Sequence, residues 1–436
     1  MKNILLALIV IFVTAYFANA QEGVSADSID LTRAIELTLQ NHPSIKQAQS
    51  LIGTAEARIK QQATSYQPEV EADASYTRIG PVPTFEFGGL SAKLYPENNY
   101  DAHVSGKYLV YDFGQRDAMR DLTASYKNSA QDNIEVIKTN LAYQTLQAFY
   151  SLLFLRQSLS VKDQQIADLN SHLQVTQAKV SSGTATDFDV STTEVRVSSA
   201  MNQRTEILNE ISKQEIMLRS LMGLNENAPV NVTGNFNFVP ESVKADSLIN
   251  VAMNQRGEVK LAHDLQVSAD KQKTVARMSD KPSLSVGAAY GFKNGYIPNL
   301  DVLRGNWTAA VIFRYPIYNG DRSRYQLEEA EANLQSSLAH TSDVTLGIRT
   351  EVNRAISDLD AARQQLETVK VQVLHAQRAL QRAELQYRDG VISNLDLLDA
   401  QTGITEARLS ELQIIYKNII SRYQLQRAAG DKLWKE

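Results

Sequence analysis

The chain has no cysteine in its 436 residues. That excludes disulfides, thiolate metal sites, cysteine nucleophiles and an acylated N-terminal cysteine. Proline is confined to positions 43, 68, 81, 83, 96, 229, 240, 282, 298 and 316, so residues 97–228 and 317–436 contain none, and 115–182 lack glycine as well. Such stretches, rich in Ala, Leu, Gln, Glu and Arg, exceed the usual globular helix several-fold. A helix over 113–182 would be on the order of 100 Å long, more than a compact globular domain can hold. Long apolar runs are scarce too. Ile4 to Val13 is one; with Lys2 before it and Ala18-Asn19-Ala20 after it, residues 1–20 read as a secretory signal peptide rather than an uncleaved anchor. No other run is long enough to cross a bilayer as a helix.

Signatures of chemistry are missing as well. The six histidines, at 42, 103, 172, 263, 340 and 375, are scattered, and none has a second histidine three or four residues on. There is no G-x-S-x-G, P-loop or nucleotide fingerprint. The seven methionines are dispersed and form no soft-metal cluster. The chain therefore reads as no enzyme, with no cofactor and no metal. A net charge of -5 is mild and gives no reason to expect nucleic acid as a partner.

What is present is periodicity. Ile348, Val352, Ala355, Leu359, Ala362, Leu366, Val369, Val373, Ala376, Leu380, Ala383 and Tyr387 recur at alternating steps of four and three. That is the seam of a left-handed coiled coil, with a period of about 3.5 residues. It ends at Y-R-D-G-V-I-S-N-L-D-L-L-D, where Gly390 permits a helix reversal and Asp396 and Asp399 lie one turn apart on the returning helix. Gly183 stands 207 residues earlier. The same offset sets Tyr111 on Tyr318, Asp112 on Asn319 and Asp189 on Asp396. It also carries the seam onto Ala148, Leu152, Leu155, Leu159, Lys162, Ile166, Leu169, Leu173, Thr176 and Val180, apolar except at Lys162 and Thr176. The chain is an internal duplication.

Each half reads helix, strand, loop, strand, long helix, turn, helix. Repeat one spans about 30–224, with strands over about 69–78 and 100–111; repeat two spans about 246–430, with strands over about 283–293 and 306–316. Residues 79–99 read as a Pro/Gly-rich loop. The strands alternate strictly between an apolar and a polar face, and about ten residues is the length of a tilted transmembrane β-strand. Four strands cannot close a barrel, and hydrocarbon does not tolerate open edges. Either the strands lie on a soluble core, or several chains share one barrel. Two chains would bring about eight strands and three about twelve. A fibrous coiled coil explains the seam but neither the strands nor the duplication.

The whole mature sequence resembles the outer-membrane efflux proteins, the TolC-like exit ducts of efflux pumps and type I secretion systems. The residues that carry the resemblance are L-M-G-L at Leu221 to Leu224, Y-D-F-G-Q-R at Tyr111 to Arg116, P-I-Y-N-G at Pro316 to Gly320, and both hairpin turns. The resemblance implies a homotrimer in outer-membrane lipid: an α-helical barrel of long coiled-coil hairpins across the periplasm, joined to a transmembrane β-barrel shared between protomers. Residues 225–246 and the C-terminal end would form an equatorial collar. It implies a periplasmic adaptor (membrane fusion) protein docked on Gly183, Thr184, Ala185, Thr186, Gly390, Val391, Ile392 and Ser393, and an inner-membrane transporter of RND or ABC type.

Within the resemblance, Asp396 and Asp399 match a D-x-x-D at a narrow periplasmic opening. Repeated by three chains they would form a negative gate whose like charges raise each other's pKa. Tyr387 and Asp189 match positions that hold such a tip shut. Ile392 stands where the family has a basic residue, and Arg388 could substitute. Without the resemblance, acids at these places read as ordinary helix N-termini. The competing function is a trimeric coiled-coil adhesin or stalk anchored in the outer membrane.

Overall fold

In the computed structural model, residues 28–239 and 245–434 are described. The expected signal peptide lies outside them, as do residues 240–244 of the expected collar. The elements in chain order are α1 (Leu31–Asn41), α2 (Pro43–Thr64), β1 (Glu69–Arg78), β2 (Thr84–Phe87), β3 (Leu90–Lys93), β4 (Asn98–Tyr111), α3 (Gln115–Ser181) and α4 (Asp187–Met222). They continue with α5 (Ala245–Gln255), α6 (Gly257–Met278), β5 (Ser283–Lys293), β6 (Arg304–Arg314), α7 (Arg322–Arg388) and α8 (Asn394–Ala429). The chain divides into two compact units.

One unit comprises Gln47–Glu135 and Gly257–Leu346. Its centre is an antiparallel sheet in the order β1-β4-β5-β6, so β1 and β6 are the open edges. The register aligns Ala72, Val104, Tyr290 and Trp307 on one rung and Asp73, His103, Gly291 and Asn306 on the next. Alternation thus divides an apolar face from a polar one. The apolar face is bare: Trp307 and Val311 are each 74% exposed, and Val70, Tyr290 and Phe313 are exposed as well. β6 begins and ends two residues before the expected 306–316, and Pro316, which has no N–H to donate, lies just beyond its end. The expected loop over 79–99 contains a second, two-stranded sheet of β2 and β3. Helix packing in this unit is tied by Lys127–Glu56, Lys271–Asp121 and Lys273–Glu331 pairs at 3.0, 3.5 and 2.9 Å.

The other unit comprises the described residues up to Lys46, Val136–Arg256 and the chain from Gly347 on. Here the heptad residues become the core. Val352, Ala355 and Ala362 are fully buried, and Ile348, Leu359, Leu366, Val369, Ala383 and Tyr387 nearly so. Val373, Ala376 and Leu380 are only half-buried. In the other repeat Leu146, Phe149, Leu152, Leu218 and Met222 are buried. The described residues 225–239 contain a parallel bridge between Ile29 and Val232. The Arg156 guanidinium fans onto the Val230 and Val232 carbonyls and Glu215. Buried Arg256 pairs with Glu351 at 2.6 Å, and Arg427 reaches the same carboxylate at 3.7 Å.

Helix α4 stops at Gly223, whose φ of 63° and contact with α1 leave no room for a side chain; an added Cβ would lie 2.8 Å from Asn41 Cβ. Asn41 also donates to the Met222 carbonyl at 3.1 Å. Gly223→Val should therefore cost on the order of 2 kcal/mol or more. Thermal unfolding in detergent measures it, and an unchanged midpoint would show that α1 is not seated on this turn.

Candidate functional site

Both hairpin tips are built by the same local chemistry. Helix α3 ends as Thr184 N–H and Gly183 N–H return to the Lys179 and Val180 carbonyls at 2.8 and 2.9 Å, with Gly183 at φ 77°. Val391 and Gly390 do the same for α7 on Gln386 and Tyr387, at 2.8 and 3.2 Å, with Gly390 at φ 74°. This is the helix C-terminus that glycine makes possible. The next helix then opens with a capping box. Thr186 caps α4 and receives Asp189 in return; Ser393 caps α8 and receives Asp396. The two acids related by the duplication are thus helix-capping residues.

The carboxyl of Asp396 is held below the usual carboxylate range by the Ser393 hydroxyl at 2.6 Å and its backbone N–H at 2.9 Å. At this exposed site, hydrogen bonds to the charged form set the direction for Asp396. Asp399 is not a bare acid either: Arg196 of α4 reaches it at 3.2 Å, both side chains being well exposed. Tyr387 and Asp189 make separate contacts. The Asp189 carboxylate serves Thr186, while its carbonyl accepts from Asn394 Nδ2 at 3.0 Å. Ile392, in the place of the expected base, packs with Leu380 and Ala400 against Ala383, Tyr387 and Leu397.

Beneath the turns lies a polar network that periodicity did not reveal. His172, Thr176 and Lys179 lie within two turns of α3. Lys179 Nζ sits 4.0 Å from the centre of the Tyr387 ring and donates to the Tyr387 carbonyl at 2.8 Å. The His172 ring meets Tyr387 edge-on, with centroids 5.0 Å apart. Its Nε2 bonds Asn394 Oδ1 at 2.6 Å, and Asn394 Nδ2 donates to Thr193 Oγ1 at 3.2 Å as well as to the Asp189 carbonyl. Since Asn394 Oδ1 only accepts, His172 carries a proton on Nε2 and donates to it. Burial pushes His172 below its ordinary value; the Asn394 bond opposes this and the Lys179 charge adds to it. The link is therefore made by Lys179 and His172 on α3, Tyr387 on α7 and Asn394 on α8, with Thr193 of α4. A base in the last turn of a helix was the only trace of Lys179 in the sequence.

Comparison with known proteins places the chain. The profile of the family described as "Outer membrane efflux protein" matches residues 34–224 and 248–431. The chain belongs to that family. Among its relatives, protein CyaE of Bordetella pertussis is 25% identical over 391 residues, 88% of this chain and 80% of that protein. The pyoverdine export outer membrane protein OpmQ of Pseudomonas putida is 20% identical over 406 residues, 92% of this chain and 86% of OpmQ. The crystal structure of the outer membrane protein VceC from Vibrio cholerae superposes with a TM-score of 0.78 at 18% identity, covering 92% and 96% of the two chains.

The chain thus has the outer-membrane efflux channel fold, an α-helical barrel with a transmembrane β-barrel shared between protomers, duplicated and with four strands per chain. It functions as an outer-membrane efflux channel whose helical part lies in the periplasm. The adhesin or stalk alternative finds no support among these relatives.

For this family member the buried network predicts acid sensitivity. A histidine whose folded pKa is lowered contributes stability above its ordinary value of 6.5, and loses it as pH falls toward the folded pKa. Melting in detergent should drop from about pH 6.5 downward, and His172→Gln should flatten that slope; an identical slope would exclude His172 as its source. Asn394→Ala strands the His172 donor, and should cost about 2 kcal/mol at neutral pH by the same assay.

Proposed function

We propose that three copies form the passive exit duct of a tripartite efflux or type I secretion system. Three sheets would supply about twelve strands, enough for a water-filled barrel. In this reading the tips formed by residues 183–186 and 390–393 are the periplasmic gate. The chain carries no nucleotide fingerprint, so an inner-membrane transporter, of RND or ABC type, supplies the energy. A periplasmic adaptor docks on the turns, where Thr184 and Val391 stand exposed and Phe188 and Leu395, equivalent by the duplication, project apolar side chains at 75% and 53% exposure. The observation that carries the reading is the repeated tip: two glycine turns, two capping boxes and one buried network joining all four helices. A spacer has no use for it.

Asp396 and Asp399 keep their charge in this proposal, with Asp399 partly offset by Arg196. Asp189 and Tyr387 hold the tip indirectly, one through a cap and its carbonyl, the other through Lys179 and His172. Release of the network would free α7 and α8 to swing. Cargo is left to the pump, since relatives include proteins described for pyoverdine export and for cation efflux.

Single-channel recording of purified trimers in planar bilayers tests the duct. Small, cation-selective currents are expected, and Asp399→Ala should make them less selective, because Arg196 is left unpaired. No current from inserted trimers would exclude a duct. Docking is separable: Val391→Asp should abolish export in cells while leaving conductance unchanged, and intact export would remove the second turn from the adaptor interface.

A further inference from the structure

The two open edges of the sheet carry opposite charges on the same face. On β1 the polar face presents Glu69, Glu71 and Asp73 in succession; on β6 it presents Arg304 and Arg314 and no acid. Within one chain these charges are only partly answered. Glu69 stands opposite Lys107, but the rung of Glu71 continues as Ser105, Ala289 and Thr308, and Arg314 faces Ser283. Asp73 faces His103, which Asp101 and Asn306 already engage. Glu71 and Arg314 therefore have no counter-ion on their own rungs. Both are exposed, and both lie at the sheet end from which the helices leave, Glu71 soon after Pro68 and Arg314 just before Pro316.

We propose that the two edges recognise each other in one register, with Arg314 of one copy opposite Glu71 of the next. A slip by one residue would turn the polar face of one strand onto the apolar face of the other, so only even shifts are open. Opposite Glu71, the guanidinium also has Glu69 and Asp73 as its diagonal neighbours. A shift of two residues either way exchanges one of these acids for Gln67 or Ser75. The same register sets Arg78, the one charge on the apolar face of β1, opposite Trp307, whose ring is 74% exposed and suited to a cation. It also sets Pro316 opposite Glu69 and leaves Pro68 just beyond, so the residues without an N–H end the seam. Moving Arg314 on to Asp73 would instead bring Pro316 opposite Glu71, inside the ladder.

The partner that fits each edge is thus a second copy of this chain. Because the bases lie on β6 and the acids on β1, the contact is head-to-tail, the kind that closes into a ring. The inference rests on the trimeric duct reading and adds the residues that set the seam.

The chain has no cysteine, so Glu71→Cys and Arg314→Cys placed together in one chain supply the only thiols. Within a copy these positions lie three strand spacings apart, about 14 Å, too far for a disulfide. Any bond formed therefore joins copies. After mild oxidation in the membrane, more than half of the chains should run as covalent trimers on a denaturing gel and return to monomers with reductant. Glu69→Cys or Asp73→Cys combined with Arg314→Cys should cross-link at least fivefold less. Equal or better cross-linking of either shifted pair would overturn the register, as would no covalent product while native mass spectrometry counts three copies. Wild type that is itself not trimeric would remove the duct reading, and the seam with it. Charge is tested separately by the temperature at which trimers dissociate. Arg314→Glu should lower it, and adding Glu71→Arg should regain at least half of the loss; no recovery would overturn the role of the pair.

Discussion

The constraint on which the structure depends is the unpaired edge. A sheet ordered β1-β4-β5-β6 leaves two rows of backbone N–H and C=O groups without partners, and in hydrocarbon each would cost several kcal/mol. Its apolar face, with Trp307 and Val311 bare, has no place in water either. One chain cannot satisfy both demands. Pairing β6 of one copy with β1 of the next satisfies them together: the polar rungs turn to a water-filled interior and the edges vanish. The long helices that leave the strands at Gln115 and Arg322 must then also lie side by side around a common axis.

Duplication supplies the symmetry, and divergence supplies the polar network beneath the turns. Both halves keep the glycine turn and capping box, because any helix reversal of this kind needs them. The polar residues beneath are not repeated. By the offset, Ala379 answers His172, Ala383 answers Thr176, Gln386 answers Lys179 and Val180 answers Tyr387. One repeat contributes His172, Thr176 and Lys179, the other Tyr387 and Asn394. A network formed only when the two hairpins meet can be broken as a unit, which is what the proposed gate would require. Buried polar groups of this kind specify one arrangement strongly, since each is costly once left unpaired.

Much of this was legible in the sequence because it is periodic. The seam from Ile348 to Tyr387, the two-residue alternation of the strands and the offset of 207 residues are all repeats, and repeats survive without coordinates. The paired acids were visible too, but their chemistry was not. Asp396 and Asp399 read as gate charges and Asp189 as a position that holds the tip shut; the carboxylates of Asp189 and Asp396 also cap their own turns through Thr186 and Ser393, and Asp399 meets Arg196. Ile392 read as a missing base, whereas it is a packing residue. Lys179, His172 and Asn394 could not be found by spacing, for their partners lie on other helices, Tyr387 on α7 and Asn394 on α8 against α3, and meet them only through tertiary packing. The β2–β3 hairpin hid in a stretch whose prolines and glycines signal turns, and only the short segments between them pair.

Closure of the sheet by copies of the same chain is the step on which the barrel depends. Native mass spectrometry of the protein extracted in mild detergent measures the number of copies directly. Three chains per particle, with no free monomer, is the predicted result. A folded monomer, or a stable pair, would contradict a barrel of about twelve strands and the tip built upon it.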